Sequence, residues 1–301
     1  MKTIKVFLIV AVVAIVATVF VACRKNDNND VANATNPAPV NNYVEPASTP
    51  KDYNAYIEEL IASTGIDIYE VSKYEGIQRI ADKQLKMINA ANAANLALQT
   101  KSTLTDAKLT QIQNLSATMQ SKYNEGNYED VLVLYESLCG ICMTIDGFVL
   151  DMNEYGLQDF SYDSNKEPLR LPINQMEAER ASAVELIRTI EDRNPQFITL
   201  PETTRIDVLT AAVYVSVQQN TIITKQVTGA EDCKKQALND FTWQMVGVTA
   251  LYIGAATACA GTLFAVLACE ALAYSGFMAG LATSRSLYNA RVQLCDKQGY
   301  Y

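Results

Sequence analysis

CKKQALNDFTWQMVGVTALYIGAATACAGTLFAVLACEALAYSGFMAGLATSRSLYNARVQLC, residues 233–295, decides how the rest of the chain is read. Between Asp240 and Arg285 it carries a single charge, Glu270. A segment so apolar all round is buried in something, protein or bilayer. Its cysteines suggest a geometry. The midpoint of Cys233 and Cys295 is residue 264, and the midpoint of Cys259 and Cys269 is the same residue. Two helices folding back near Phe264 would bring both pairs face to face, one at the base of a hairpin and one near its tip. Each arm would run about 30 residues, roughly 45 Å at the helical rise, and close-packed helices allow the Cα separation of under about 7 Å that a disulfide needs. Gly247, Gly254, Gly261, Ala268 and Ser275 recur every seven residues, and Gly276 with Gly280 adds a GxxxG step. Small residues at helical spacing let two helix backbones approach closely. Glu270, close to the expected turn, is expected to reach water.

Working outward, the segments upstream read as amphipathic helices that need such an element to pack on. Thr49-Pro50-Lys51-Asp52 is a helix start, with Thr as cap and Pro at the first helical position. Tyr53, Tyr56, Ile57, Leu60 and Ile61 then form one apolar stripe, and Gly65 is the stop. Residues 67–98 predict a longer helix, broken near Gly76 and ending in the Ala/Asn-rich run 89–94. Residues 106–123 repeat the pattern through Leu109, Ile112, Leu115 and Met119, closed by Gly126. In 128–152 the run Val131–Leu134 could pass for a buried strand, but the segment's length favours helix. Residues 155–173 read as non-helical, 176–192 as helix, Pro195 to Pro201 as a connector, and 202–224 as a helix with a stripe of Ile206, Leu209, Val213 and Val217. The expected fold class is all-α, a helical bundle around a C-terminal apolar, disulfide-stapled helical hairpin.

At the other end, Lys2 and Lys5 precede an apolar run from Val6 to Val21, interrupted only by Thr18, which stops at Ala22-Cys23 and the basic Arg24-Lys25 step. Phe20-Val21-Ala22-Cys23 resembles a lipobox, with Phe where the commonest pattern has Leu. Asn26-Asp27-Asn28-Asn29-Asp30 is similar to the acidic export tag of surface lipoproteins in Bacteroidota-type Gram-negative bacteria. That resemblance covers residues 1 to about 30. It implies lipidation of Cys23, a membrane partner reached through the N-terminal lipid, and an outer-membrane, surface-exposed address in the cell envelope. Residues 24–50 hold seven Asn and four Pro with few large apolar groups, a tether with too little to bury for a fold. The expected organisation is a signal peptide over 1–22, lipidated Cys and tether over 23–50, an amphipathic helical region over 51–230 and the apolar hairpin over 231–301.

Composition excludes more chemistry than it suggests. The chain has no histidine. That removes Ser-His-Asp and Cys-His catalysis and every His-containing metal site, leaving carboxylate pairs or Lys, Tyr and Ser nucleophiles. The formal charge is −9, or −11 without the two lysines of residues 1–22, which disfavours nucleic acid as a partner. With Cys23 lipidated, Cys139, Cys142, Cys233, Cys259, Cys269 and Cys295 remain as disulfide candidates in an oxidising compartment. Cys139-Gly140-Ile141-Cys142 has redox spacing but sits inside an apolar helical run, so a structural bridge or two buried thiols is the better reading; zinc lacks a ligand set. Leu200-Pro201-Glu202-Thr203-Thr204 resembles a sortase signal but reads as a proline-started helix. The acidic pairs Glu58-Glu59, Glu129-Asp130, Glu177/Glu179 and Glu231-Asp232 read as solvated helix faces. No catalytic residue, cofactor or metal is expected. The function expected is a non-enzymatic interaction or structural domain with an unidentified protein partner; the alternative is a membrane-inserting, pore-forming hairpin.

Overall fold

The computed structural model describes residues 50, 52–96, 104–142, 144–145, 173–220, 230–259 and 263–298. The expected signal peptide, Cys23 and tether, the expected non-helical stretch up to residue 172, and the hairpin turn at 260–262 lie outside them. Among the described residues there are nine α-helices and no strand: α1 Tyr53–Thr64, α2 Ile68–Val71, α3 Glu75–Leu96, α4 Asp106–Asn124, α5 Tyr128–Cys142, α6 Ile173–Arg193, α7 Glu202–Asn220, α8 Ala230–Ala258 and α9 Leu263–Gln298. A 3-10 turn at Pro195–Thr199 joins α6 to α7. The fold is all-α, and Val131–Leu134 is helix.

Local chemistry sets the ends, not always at the residues the sequence pattern favours. Helix α1 is capped by Asp52, whose carboxylate accepts from the Asn54 and Ala55 amides at 3.0 and 3.1 Å. The cap thus lies three residues beyond the expected Thr49, because a carboxylate can satisfy two of the amides a helix start leaves open. Gly65 ends α1 in the left-handed region at φ 68°, its amide donating to the Ile61 carbonyl. The expected break near Gly76 falls at Ser72–Tyr74, where successive turn hydrogen bonds replace the helical ladder. Gly76 itself is helical and marks a close approach: a β-carbon there would lie 2.9 Å from Leu186 Cδ1 on α6.

Helices α8 and α9 run against each other along their length, and α9 is the centre of the molecule. On one side it meets α4 and α5; behind α8 stand α6 and α7, with α3 packed on α7. One hydrophobic cluster joins all of them. Helix α9 is long and apolar enough to cross a membrane, yet 94% of its most apolar window is buried inside the protein. Gly280 faces α8 so closely that a β-carbon would lie 2.7 Å from Val248 Cγ1, the small-residue contact expected between the arms. Gly247, at the head of the seven-residue series, faces Thr210 on α7 instead. Helix α7 departs from its expected stripe, since every residue from Val208 to Val217 is buried. It is a second core helix, hidden from a pattern reading by the Thr and Ser residues in its run.

Polar pairs fix the register of these contacts. The Ser116 and Ser275 hydroxyls pair at 3.0 Å between α4 and α9. The Gln84 amide donates to the Thr249 hydroxyl at 2.6 Å between α3 and α8. Inside a core such pairs are strongly directional, because any other register leaves them unsatisfied.

Candidate functional site: the two ends of the hairpin

Charged and covalent groups gather at the base and the tip of the α8–α9 hairpin. At the base Cys233 and Cys295 form a disulfide with Cα atoms 5.7 Å apart. About two turns further up α8, Asp240 is buried and well partnered. Its Oδ1 accepts from the Tyr53 hydroxyl at 2.5 Å and from the Gln236 amide at 2.8 Å, and its Oδ2 pairs with Arg291 of α9. Outside it, Lys234 meets Asp296 at 2.5 Å in the exposed rim.

An aromatic group stands over this acid. Tyr53 stacks on Tyr214 at 5.0 Å between centroids, and Trp243 contacts Tyr53, Tyr56 and Tyr214 within 5.5 Å. Such offset and edge contacts add roughly 0.5–1.5 kcal/mol each beyond burial. Burial raises the Tyr53 hydroxyl well above its ordinary value, with Tyr214 adding to the rise and Arg291 opposing it. Beside the group, burial pushes the Asp207 carboxyl up to about 6 against the Tyr56 hydrogen bond. The opposite charges of Lys234 with Asp296, and of Asp240 with Arg291, sit near mirror positions about residue 264. That signal was available in the sequence; the part played by Tyr53 and Trp243 was not.

At the tip Cys259 and Cys269 form the second disulfide, Cα atoms 5.6 Å apart. Glu270 follows it and does not reach water: it is 2% exposed. The expectation fails because α6 covers the tip. Arg180 of α6 donates from Nη2 to the Cys259 carbonyl at 3.0 Å, which leaves its Nε 3.6 Å from Glu270 Oε1. That is an ion pair without a hydrogen bond, and neither Glu270 oxygen accepts one among the described residues. Burial pushes the Glu270 carboxyl up to about 7, Arg180 pulls it down and Glu177 pushes it further up. Next to them Lys83 of α3 binds Glu179 at 2.8 Å.

Cys139 and Cys142 are both buried free thiols, so neither is a disulfide partner. Three residues apart on one helix, their β-carbons stand roughly 5–6 Å apart, beyond the roughly 3.5–4.5 Å a disulfide spans. Burial pushes the Cys139 thiol up to about 12 and the Cys142 thiol well up too, the reverse of a reactive cysteine. The acidic residues Glu58, Glu59, Glu129, Asp130, Glu177 and Asp232 are exposed. An open groove of about 630 Å³ runs along the outer face of α4, lined by Thr110, Gln111, Asn114 and Thr118, with Asp106 its one carboxylate among the described residues. No group of three or more His, Cys, Asp or Glu that could hold a metal occurs among the described residues. No protein-family model matches the sequence, and no curated protein or solved structure matches it either.

Proposed function

We propose that the protein is a lipid-tethered, non-enzymatic helical domain of the bacterial cell envelope, acting as a structural or protein-binding body. The address rests on the signal-like residues 1–22 and the lipobox-like step at Cys23. The role rests on one observation: the apolar hairpin is spent as the protein's own core. Helix α9 is covered by α4, α5 and α8, and its two cysteines close covalent staples at both ends. Leaving that core for a bilayer would uncover the inner faces of α4, α5, α6 and α7 together, at roughly 25 cal/mol for each Å² of apolar surface exposed. A protein partner would meet the outer polar faces, since the large apolar groups left exposed among the described residues, Tyr69, Val133, Ile198 and Leu294, lie singly on four different elements.

Residues 24–301, secreted into an oxidising compartment without signal or lipid, give the test. The expected product is soluble without detergent, carries Cys233–Cys295 and Cys259–Cys269 on non-reducing peptide mapping, and leaves dye-loaded vesicles intact. A product that needs detergent or makes vesicles leak would replace this reading with the membrane-inserting one. Separately, Cys23→Ser in the full chain is expected to abolish acyl labelling and release the protein from the membrane fraction. Retention in that fraction without the label would point to an uncleaved N-terminal anchor.

A further inference from the structure

We infer that Glu270 is a proton-binding switch: the folded hairpin takes up a proton there as its surroundings turn mildly acidic, and is stabilised by doing so. The proposal goes beyond the functional reading and does not depend on it. It starts from a gap in composition. Histidine is the one side chain that ordinarily titrates between about pH 5 and 8, and this chain has none. Proton uptake in that window falls to carboxyl groups that the fold has displaced into it.

Geometry singles out Glu270. Of the two acids buried among the hairpin's described residues, Asp240 is satisfied by Tyr53, Gln236 and Arg291, so its ionised form is well held. Glu270 is equally buried, yet neither oxygen accepts a hydrogen bond. Its one counter-charge among the described residues, Arg180, is committed to the Cys259 carbonyl and stands off at 3.6 Å. The other groups facing it do not favour the charge. Glu177 on α6 repels it, the Tyr252 hydroxyl on α8 is itself raised partly by it, and Lys83 on α3 is taken up by Glu179. Between Asp240 and Arg285 the sequence carries no other charge. An ionised carboxylate here keeps most of its desolvation cost, which a proton removes.

The sign follows from linkage. A carboxyl raised to about 7 in the folded state and returning to its ordinary value on unfolding binds its proton more tightly in the native protein. Its contribution is full below the unfolded value and lost as pH rises through about 7. The molecule therefore firms up on mild acidification. Asp207, raised to about 6 on a different element, acts in the same direction over a lower range.

Thermal melting of the oxidised full-length protein in detergent tests this. Between about pH 8 and about pH 5.5 the melting temperature is expected to rise by roughly 5 °C. Glu270→Gln should melt higher than the parent at the alkaline end and lose most of the slope, while Asp207→Asn keeps its upper part. A flat or falling profile in the parent, or an undiminished slope in Glu270→Gln, would overturn the proposal. A readout that needs no variant is carboxyl-carbon NMR on glutamate-labelled parent protein. One glutamate midpoint near neutrality is expected, and all glutamates titrating near their ordinary value would sink the idea.

Discussion

Gly280 and Tyr53 show how single positions set the hairpin. A β-carbon at 280 would stand 2.7 Å from Val248 Cγ1 and 2.8 Å from its Cγ2, so Gly280→Ala is expected to push the arms apart. Alanine's better helix propensity offsets up to about 1 kcal/mol against an overpacking cost of roughly 1–3 kcal/mol. A net loss of about 1 kcal/mol in chemical denaturation should follow, recovered when Val248→Ala is added; an additive double variant would deny the contact. At Tyr53 the hydroxyl donates to buried Asp240 at 2.5 Å. Tyr53→Phe keeps the ring stack and removes that bond, at an expected cost of roughly 1.5–3 kcal/mol for a charged acceptor; unchanged stability would mean Gln236 and Arg291 satisfy the carboxylate alone. Both residues stand out in the sequence, Tyr53 at the head of a stripe and Glu270 as the one charge of its run, but what each meets was not legible there. Each owes its role to a partner on a helix distant along the chain, Asp240 for one and Arg180 for the other, and periodicity carries no information about such encounters.

At the scale of elements, far more could be read. The shared midpoint of the cysteine pairs at residue 264 is a statement about register, and independent contacts repeat it. Val248 meets Gly280, Phe241 stacks on Tyr288 at 4.6 Å, and Tyr252 meets Phe277 at 5.4 Å, all pairs centred within one residue of 264. A helical arm conserves offset along its length, which is why two cysteine pairs sufficed. Helix α7 buries its expected Leu209, Val213 and Val217 but much more besides. Its core face is interrupted by Thr210 and Ser216, small polar residues that the dense packing buries anyway. Helix α5 adds a chemical expectation. In a chain starting at residue 24, a thiol-modifying reagent should find no reactive group in the native state and two, Cys139 and Cys142, after denaturation without reductant. Two groups reacting at once in native buffer would mean that α5 opens readily; none after denaturation would mean that they had paired.

For the molecule as a whole, the two staples are unequal. Cys233–Cys295 closes 62 residues and Cys259–Cys269 closes 10. By loop-closure entropy the first contributes roughly 4 kcal/mol and the second roughly 3. The paired Cys233→Ala/Cys295→Ala variant should therefore unfold at lower denaturant than Cys259→Ala/Cys269→Ala. Equal midpoints, or a reversed order, would place the stabilisation in the native tip and not in the unfolded chain. The hairpin and the helices upstream share one hydrophobic cluster.

The outer staple also has a mechanical consequence. Tension on the chain upstream of α1 would enter the domain at Tyr53, whose first inward link is Asp240, seven residues inside the covalent ring closed at Cys233. Pulling between the two chain ends can peel α1 to α7, but it passes through the Cys233–Cys295 bond and never along the backbone between. Roughly 200 Å of contour, the apolar hairpin with its tip staple, is withheld from extension for as long as the outer bond is oxidised. An oxidised domain stretched between its ends would stop short of a reduced one by about that length, and its most aggregation-prone segment would stay looped on itself even when everything around it had been pulled straight.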